Sequence, residues 1–436
     1  MSKALESGLK VALIDRPPIG GTCMNFGCLP SKTLLYRADR IGLIRRGEQI
    51  GIKAGDIQKD FSGLMDTVRN ERDSRRKLHR KQVEGVDNLD FYKGEASFIS
   101  PEIIDVEGSR LSADKIFIAN GARPLVPPIE GLDKIGYLTN ETVLELKEKP
   151  GSIVLVGGGY IALEYAYFFS SYDIDVTIIE MNSSIMGMME PEISELMERE
   201  LRKYATLHLN SVAEKISGEK GNLTVHVRSG EDENVISAQE VFVAAGRTSN
   251  ADTLSLENTQ IDTDDRGYIS VDEFMETTQP GVYAFGDVIG KFMFKHVANE
   301  EARKAWNNAV SRERRKMDYH ACPMAVYGYP EIASVGLTEE KASRKNDILI
   351  GKSEYESVSR GNIMRDHTGF VKAVVERDSR RLLGFHAIGP HASIIVQEAV
   401  NVIANNEKVD FIINSMHTFP SLSEIVIKPM LNLKEV

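Results

Sequence analysis

The stretch that most limits how this chain can fold is "IVLVGGGYIALEYAYFF", residues 153 to 169, followed by "VTIIE", which ends at Glu180. Its four leading apolar residues suit a strand buried on both faces. Gly157-x-Gly159-x-x-Ala162 then permits a tight turn and a close backbone approach, and the helical pattern that follows brings a helix N-terminus to the same point. A second strand closing on an acid completes a βαβ unit of the kind that binds a dinucleotide. In such a unit the pyrophosphate lies at the helix N-terminus and the acid meets a ribose 2′-hydroxyl. A 2′-phosphate would be repelled by Glu180, and no arginine follows it in "EMNSSIM", so NAD is expected over NADP.

One βαβ unit does not account for 436 residues, and a chain of this length is expected to divide into several domains. Its formal net charge of −11 argues against a nucleic-acid partner, since phosphate binding needs concentrated Lys and Arg. The basic run "RNERDSRRKLHRK", 69 to 81, is interleaved with Glu71 and Asp73 and reads as a solvated helix face. No stretch approaches the ~20 apolar residues that cross a bilayer, and no signal pattern opens the chain, so no membrane association and a cytoplasmic location are expected. A second strand with the same grammar, "GLKVALID", ends at Asp15, but no glycine-rich turn precedes it. The expectation is that Met1 is an internal start and that the chain as given binds its second nucleotide poorly.

Two of the three cysteines lie in "GGTCMNFGCLPSK", residues 20 to 32. Residues five apart on an unbroken helix rise ~7.5 Å, beyond the ~7 Å Cα separation a disulfide tolerates, so bridging Cys23 and Cys28 needs a bend. Gly27 supplies a permissive backbone for it, and Pro30 suits the first turn of a following helix. A thiolate near that helix N-terminus and Lys32 would have a lowered pKa. A zinc site would need two further ligands at comparable spacing, and none is visible, so no metal is expected; two bystander thiols remain the bland reading.

GGTCMNFGCLPSK resembles the redox-disulfide signature of the flavin-dependent pyridine nucleotide-disulfide oxidoreductases, and dihydrolipoamide dehydrogenase in particular. The resemblance continues through "IFIANGARPLVPPIEG" (116 to 131), "AAGRTSN" (244 to 250), "VYAFGDV" (282 to 288), "YPEIASVGLTE" (329 to 339) and "HTFPSLSE" (417 to 424). It implies an α/β protein with two Rossmann-like domains, for FAD and NAD, and a C-terminal α+β dimerisation domain. The expected boundaries are 1–120 and 249–318 for the FAD part, 121–248 for the NAD domain and 319–436 for dimerisation. Cys28 would be the thiol facing the flavin, and Cys23 would exchange with substrate. Lys32 would pair with Glu164 beside the flavin, and Tyr160 would cover the nicotinamide pocket. Asp15, Lys32, Ala96 and Asp287 are the expected FAD contacts, and Thr22, Gly121, Met293 and His296 are further expected cofactor-binding residues. Gly157, Gly158, Gly159, Ile161, Glu164, Glu180, Val212 and Gly246 are those for NAD.

One departure touches catalysis. Family members acting on dithiols carry a His-Pro followed four residues on by Glu, where an imidazole takes the thiol proton. Here Pro420 and Glu424 match but Phe419 holds the histidine's place, and His417, two residues earlier, is the candidate replacement base. The Phe419–Pro420 bond is expected to be cis. The resemblance implies a homodimer whose C-terminal segment completes the partner's site, a small-molecule or lipoyl-bound disulfide or dithiol substrate, dihydrolipoamide first, and membership of a 2-oxoacid dehydrogenase complex. The chain ends "KPMLNLKEV" without the vicinal cysteines of mercuric reductases, which disfavours mercury. Another NAD(P)H-dependent reductase, or a flavin-poor homologue acting only through its dimer surface, stays open.

Overall fold

A computed structural model describes residues 1–435. A short helix, Ser2–Glu6, leads through Gly8 (φ +73°) into β1 (Val11–Asp15), which pairs in parallel with β2 (Leu89–Lys93). Between these strands run α1 (Gly21–Asn25), α2 (Cys28–Arg45) and α3 (Phe61–Lys81). The expected buried strand at "VALID" forms, but its residues are only part-covered, because among the described residues no strand pairs with its other edge. A separate parallel pair joins β3 (Ile116–Ile118) to the strand that carries the "VYA" of 282 to 284.

The nucleotide-type unit forms as its pattern requires. β4 (Ser152–Val156) has its four apolar residues buried, turns through Gly157, and continues as α4 (Tyr160–Ser171) and β5 (Asp175–Ile179). After α5 (Pro191–Leu201), β6 (Thr206–His208) pairs with β5, and β7 (Glu240–Val243) pairs with β4, giving the parallel order β6-β5-β4-β7. A three-stranded meander of 212–219, 222–229 and 232–238 covers one face, its middle strand burying Leu223, Val225 and Val227 at the expected period of two. The other face packs on α4. A continuous core runs from Ile153 and Leu155 through Ala162, Ala166, Phe168 and Phe169 of α4 to Leu34, Leu35 and Ala38 of α2. That core fixes the helix bearing Cys28 against the helix bearing Glu164.

Downstream, β8 (Val282–Ala284) lies against β3, and α6 (Lys295–Val310) follows. The C-terminal part is one six-stranded sheet. Its strands are β9 (Met324–Val326), β10 (Ile332–Gly336), β11 (Ile348–Glu354), β12 (Phe370–Glu376), β13 (Leu382–Ile388) and β14 (Lys434–Glu435), in the order β9-β10-β13-β12-β11-β14. The helices α7 (Ala392–Ala404) and α8 (Glu424–Leu431) bury one face over Val371, Ala373, Phe385 and Ala387. On the opposite face Lys372, buried, meets Glu190 at the start of α5 at 2.8 Å and Glu339 at 2.6 Å, which ties this sheet to the nucleotide unit. Among the described residues no helix is long and apolar enough to cross a membrane. The basic run of α3 is neutralised in part on the helix itself, with Arg69 on Asp66, Arg75 on Glu71 and Arg76 on Asp73, but it is not wholly a solvated face: Arg72 is buried and pairs with Glu145 at 2.7 Å.

Candidate functional site

The bend between the cysteines is present. α1 stops at Asn25, Phe26 and Gly27 break the helix, and Cys28 opens α2. At Gly27 an added Cβ would sit 3.1 Å from Thr22 O and 3.4 Å from the Cys23 Cα, so the two segments approach because that residue has no side chain. The approach brings the Cys23 thiol into hydrogen-bond contact with Cys28. That hydrogen bond, with help from the Lys32 ammonium and against the cost of burial, brings Cys28 down to about 7. Cys23 keeps the proton and is pushed up by the same bond and by its own burial. Asn25, fully buried, braces the turn by donating to the carbonyls of Ile19 and Gly21, while its Oδ1 accepts from Arg76 Nε at 2.6 Å.

Lys32, one turn into α2, reaches Glu164 of α4 with both carboxylate oxygens at 2.7 and 2.8 Å. Glu164 is buried, so its charge is balanced by this pair and by the backbone N–H of Tyr327, which donates to Oε1 at 3.1 Å. Tyr160, the first residue of α4, is pushed up to about 12 by burial, in a setting that includes Arg247, Asp287, Glu164 and Cys28. Its ring packs 5.9 Å from Phe294. Cys23, Cys28, Lys32, Tyr160, Glu164 and Asp287, named from distant parts of the sequence, therefore share one neighbourhood.

The nucleotide contacts expected on α4 have a matching backbone. Gly157 has φ +111°, and a Cβ there would lie 2.4 Å from Ala244 O, so the turn accepts only glycine. Glu180 Oε2 accepts the Gly158 N–H at 2.6 Å and Oε1 accepts the Asn182 N–H at 2.7 Å, which orients the carboxylate at the turn. Gly159 caps α4 with no side-chain bond and no acid follows in the first turn, leaving that N-terminus suited to a pyrophosphate. Ile161 is the second residue of α4, Val212 opens the meander half-exposed, and Gly246 has φ +119° with its carbonyl accepting from Leu125.

The second cofactor's contacts fit in part. Asp15, at the end of β1, accepts the Gly20 N–H at 3.1 Å. Arg247, whose side chain is nearly covered, holds its Nε 3.4 Å from Asp287 Oδ2 and makes no hydrogen bond with it, an orphan donor beside a carboxylate pushed up by burial. Such a pair suits the polar chain of a bound flavin nucleotide. Gly121 (φ +73°) accepts the Asn250 N–H, and Thr22 and Ala96 lie on α1 and on the strand Ala96–Ser100. Met293 precedes α6, and His296 in its first turn stacks on Phe294 and bonds Pro323 O at 2.7 Å.

The two C-terminal candidates have different partners. His417 does not face Glu424. Its Nε2 lies 2.8 Å from Glu398 Oε1 on α7, and its Nδ1 lies 3.1 Å from Ser415 O. Glu424 instead accepts the Ser421 N–H at 3.1 Å at the start of α8. Phe419 is 71% exposed, and the Phe419–Pro420 bond is cis as expected. Tyr327, Asn25, Arg76 and Arg247 were not singled out from the sequence. Tyr327 stands two residues before "YPEIASVGLTE", and only the fold brings it to Glu164.

Residues 1–302 match the family described as pyridine nucleotide-disulphide oxidoreductase, and residues 322–429 match that family's dimerisation domain. The chain is 32% identical to a mercuric reductase of Staphylococcus aureus, covering 97% of this chain and 78% of that protein. It is 30% identical to a dihydrolipoyl dehydrogenase of Bacillus subtilis, covering 97% and 93%. With a mycothione reductase of Mycobacterium tuberculosis it shares 32% identity over 98% and 95%. Among solved structures, the Cu(II) complex of the HOCl-induced flavoprotein disulfide reductase RclA from Escherichia coli superposes with a TM-score of 0.88, at 27% identity over 99% of this chain and 96% of that one.

Proposed function

The chain belongs to the pyridine nucleotide-disulphide oxidoreductases, flavoproteins that use NAD(P)H, and on that premise we propose that it carries electrons from NADH to a disulfide through Cys23 and Cys28. The oriented Glu180 carboxylate supports NADH over NADPH. FAD, when bound beside Asp287, Arg247 and the Lys32–Glu164 pair, supplies the two-electron relay between nicotinamide and the cysteines.

The observation that carries the direction of flux is the C-terminal loop. Oxidising dihydrolipoamide calls for a base on the thiol, and Phe419 offers none, while both His417 nitrogens face acceptors. Reduction of a disulfide can draw its proton chemistry from the cysteines alone. Cys23, passing its proton to the Cys28 thiolate, attacks the substrate disulfide, and the first leaving thiolate takes that proton. Cys28 then attacks the Cys23 sulfur of the mixed disulfide, releasing the second thiolate and closing Cys23–Cys28. The match to the dimerisation domain supports a homodimer, with the exposed Phe419 loop as part of the contact.

The test is a rate comparison on the flavin-loaded full chain. NADH with lipoamide disulfide, glutathione disulfide or coenzyme A disulfide should turn over faster than NAD with dihydrolipoamide, and His417→Ala should leave the reductive rate within about twofold. Faster dihydrolipoamide oxidation, or a loss of the ~10²-fold or more expected of a missing base in His417→Ala, contradicts the proposal and restores a dihydrolipoyl dehydrogenase and its 2-oxoacid dehydrogenase complex. The mercuric reductase among the relatives favours a second reading, in which the electrons pass to a thiophilic metal ion. That reading predicts NADH oxidation by the metal ion with every disulfide absent.

A further inference from the structure

Lys32 is held on two sides, and only one of them is Glu164. On the other, its ammonium lies 4.9 Å from the centroid of the Tyr327 ring, within the range of a cation–π contact. Tyr327 follows β9, so it belongs to the C-terminal sheet, whereas Lys32 lies on α2 and Glu164 on α4. The same residue grips the acid as well, through its backbone N–H to Glu164 Oε1 at 3.1 Å. Its phenol is set near Ser393 of α7 and Glu331, and Ser393 donates from Oγ to Glu331 Oε1 at 2.8 Å and from its N–H to Oε2 at 3.1 Å. Tyr327 thus lies between groups of the dimerisation part and the Lys32–Glu164 pair beside the cysteines.

We propose that Tyr327 is a positioning residue of the redox site: its ring face fixes the Lys32 ammonium, and its backbone fixes Glu164, so that the C-terminal sheet sets the charge that Cys28 faces. The inference rests on the reading of Cys23 and Cys28 as the redox pair. The physical reason is an asymmetry of freedom. Glu164 is buried and bonded to backbone, so it stays in place when the ring is removed, while Lys32 is on a flexible stem and about one-third exposed. Without the ring the ammonium gains solvent-facing rotamers, and Cys28 faces a carboxylate whose partner has loosened. The groups that face Cys28 are Cys23 from α1, Lys32 from α2, Glu164 and Tyr160 from α4, and Tyr327 from the segment after β9.

The experiment measures iodoacetamide alkylation of Cys28 in the reduced full chain against pH, assigned by peptide mass, with and without bound FAD. Tyr327→Leu should raise the midpoint by roughly half a pH unit and slow alkylation at pH 7 about two- to threefold, from the size of a partly exposed cation–π contact. Tyr327→Phe, which keeps the ring face, should restore the wild-type profile. In a Lys32→Met background, Tyr327→Leu should add no further shift. An unchanged midpoint in Tyr327→Leu, an equal shift in Tyr327→Phe, or additive shifts in the double variant each overturn the proposal. If Tyr327→Leu does not fold, the Phe variant and the Lys32→Met chain decide it, since a phenol-borne effect would appear in the first and no Lys32 effect on Cys28 would appear in the second. A wild-type Cys28 that alkylates only near the ordinary thiol range defeats the redox-pair reading itself, which separates the two failures.

Discussion

Gly27 is where the redox chemistry becomes possible, because a methyl group there would meet backbone 3.1 Å away. Gly27→Ala should therefore push the two cysteine-bearing segments apart, cost about 1–3 kcal/mol by overpacking, and slow closure of the disulfide more than tenfold. Urea unfolding and the rate of thiol loss on mild oxidation check the two effects separately. Cys28, brought down to about 7 by the Cys23 hydrogen bond and Lys32, should alkylate with a midpoint near neutrality, as thiolate above and protonated thiol below. Lys32→Met removes the cation that favours the thiolate, so the midpoint should move up. At this scale the sequence was legible where a residue acts through its own neighbours in the chain. Cys23, Gly27 and Cys28 sit within a short stretch and could be read together. Phe419 was also legible as a missing base, but His417's partner was not: Glu398 lies on α7, 19 residues earlier in the chain, with no local period to pair the two.

At the scale of elements, α4 joins nucleotide binding to redox chemistry. Its N-terminus opens on the glycine turn, Glu164 stands one turn in, and its far half buries Phe168 and Phe169 against α2 and α3. Phe168→Ala should cost about 3–5 kcal/mol, seen as a lower denaturation midpoint, with Cys28 reactivity kept at temperatures where the chain stays folded. Gly157→Ala meets both a left-handed backbone and a carbonyl 2.4 Å away, and should weaken NADH binding at least tenfold in a fluorescence titration. The strand, turn, helix and second strand were all readable, since apolar run, glycine spacing and helical period agree there. β1 was readable as a strand but not as a half-covered one, because burial depends on which strand lies beside it.

At the scale of the whole molecule, several contacts join the C-terminal sheet to the nucleotide unit, and two of them, at Lys372 and at Tyr327, left no mark in the sequence. Lys372, Glu190 and Glu339 lie far apart in the chain, and each taken alone reads as a surface charge, yet they meet, with Lys372 and Glu190 buried and Glu339 half-buried. Lys372→Met leaves carboxylates without their cation and should destabilise the fold by about 3–5 kcal/mol, measured by denaturant unfolding. Tyr327 joins the same two parts at the redox site, and long-range pairs of this sort follow from the packing of α4 on β9, not from any local period. Everything in the account depends on Cys23 and Cys28 cycling between dithiol and disulfide. The most direct measurement is peptide mass mapping of the full chain after mild oxidation and again after reduction by NADH in the presence of FAD. The oxidised protein should carry a Cys23–Cys28 link, with Cys322 still alkylated, and NADH should recover both linked thiols. Alkylation of Cys23 and Cys28 to the same extent in both states would contradict that cycling.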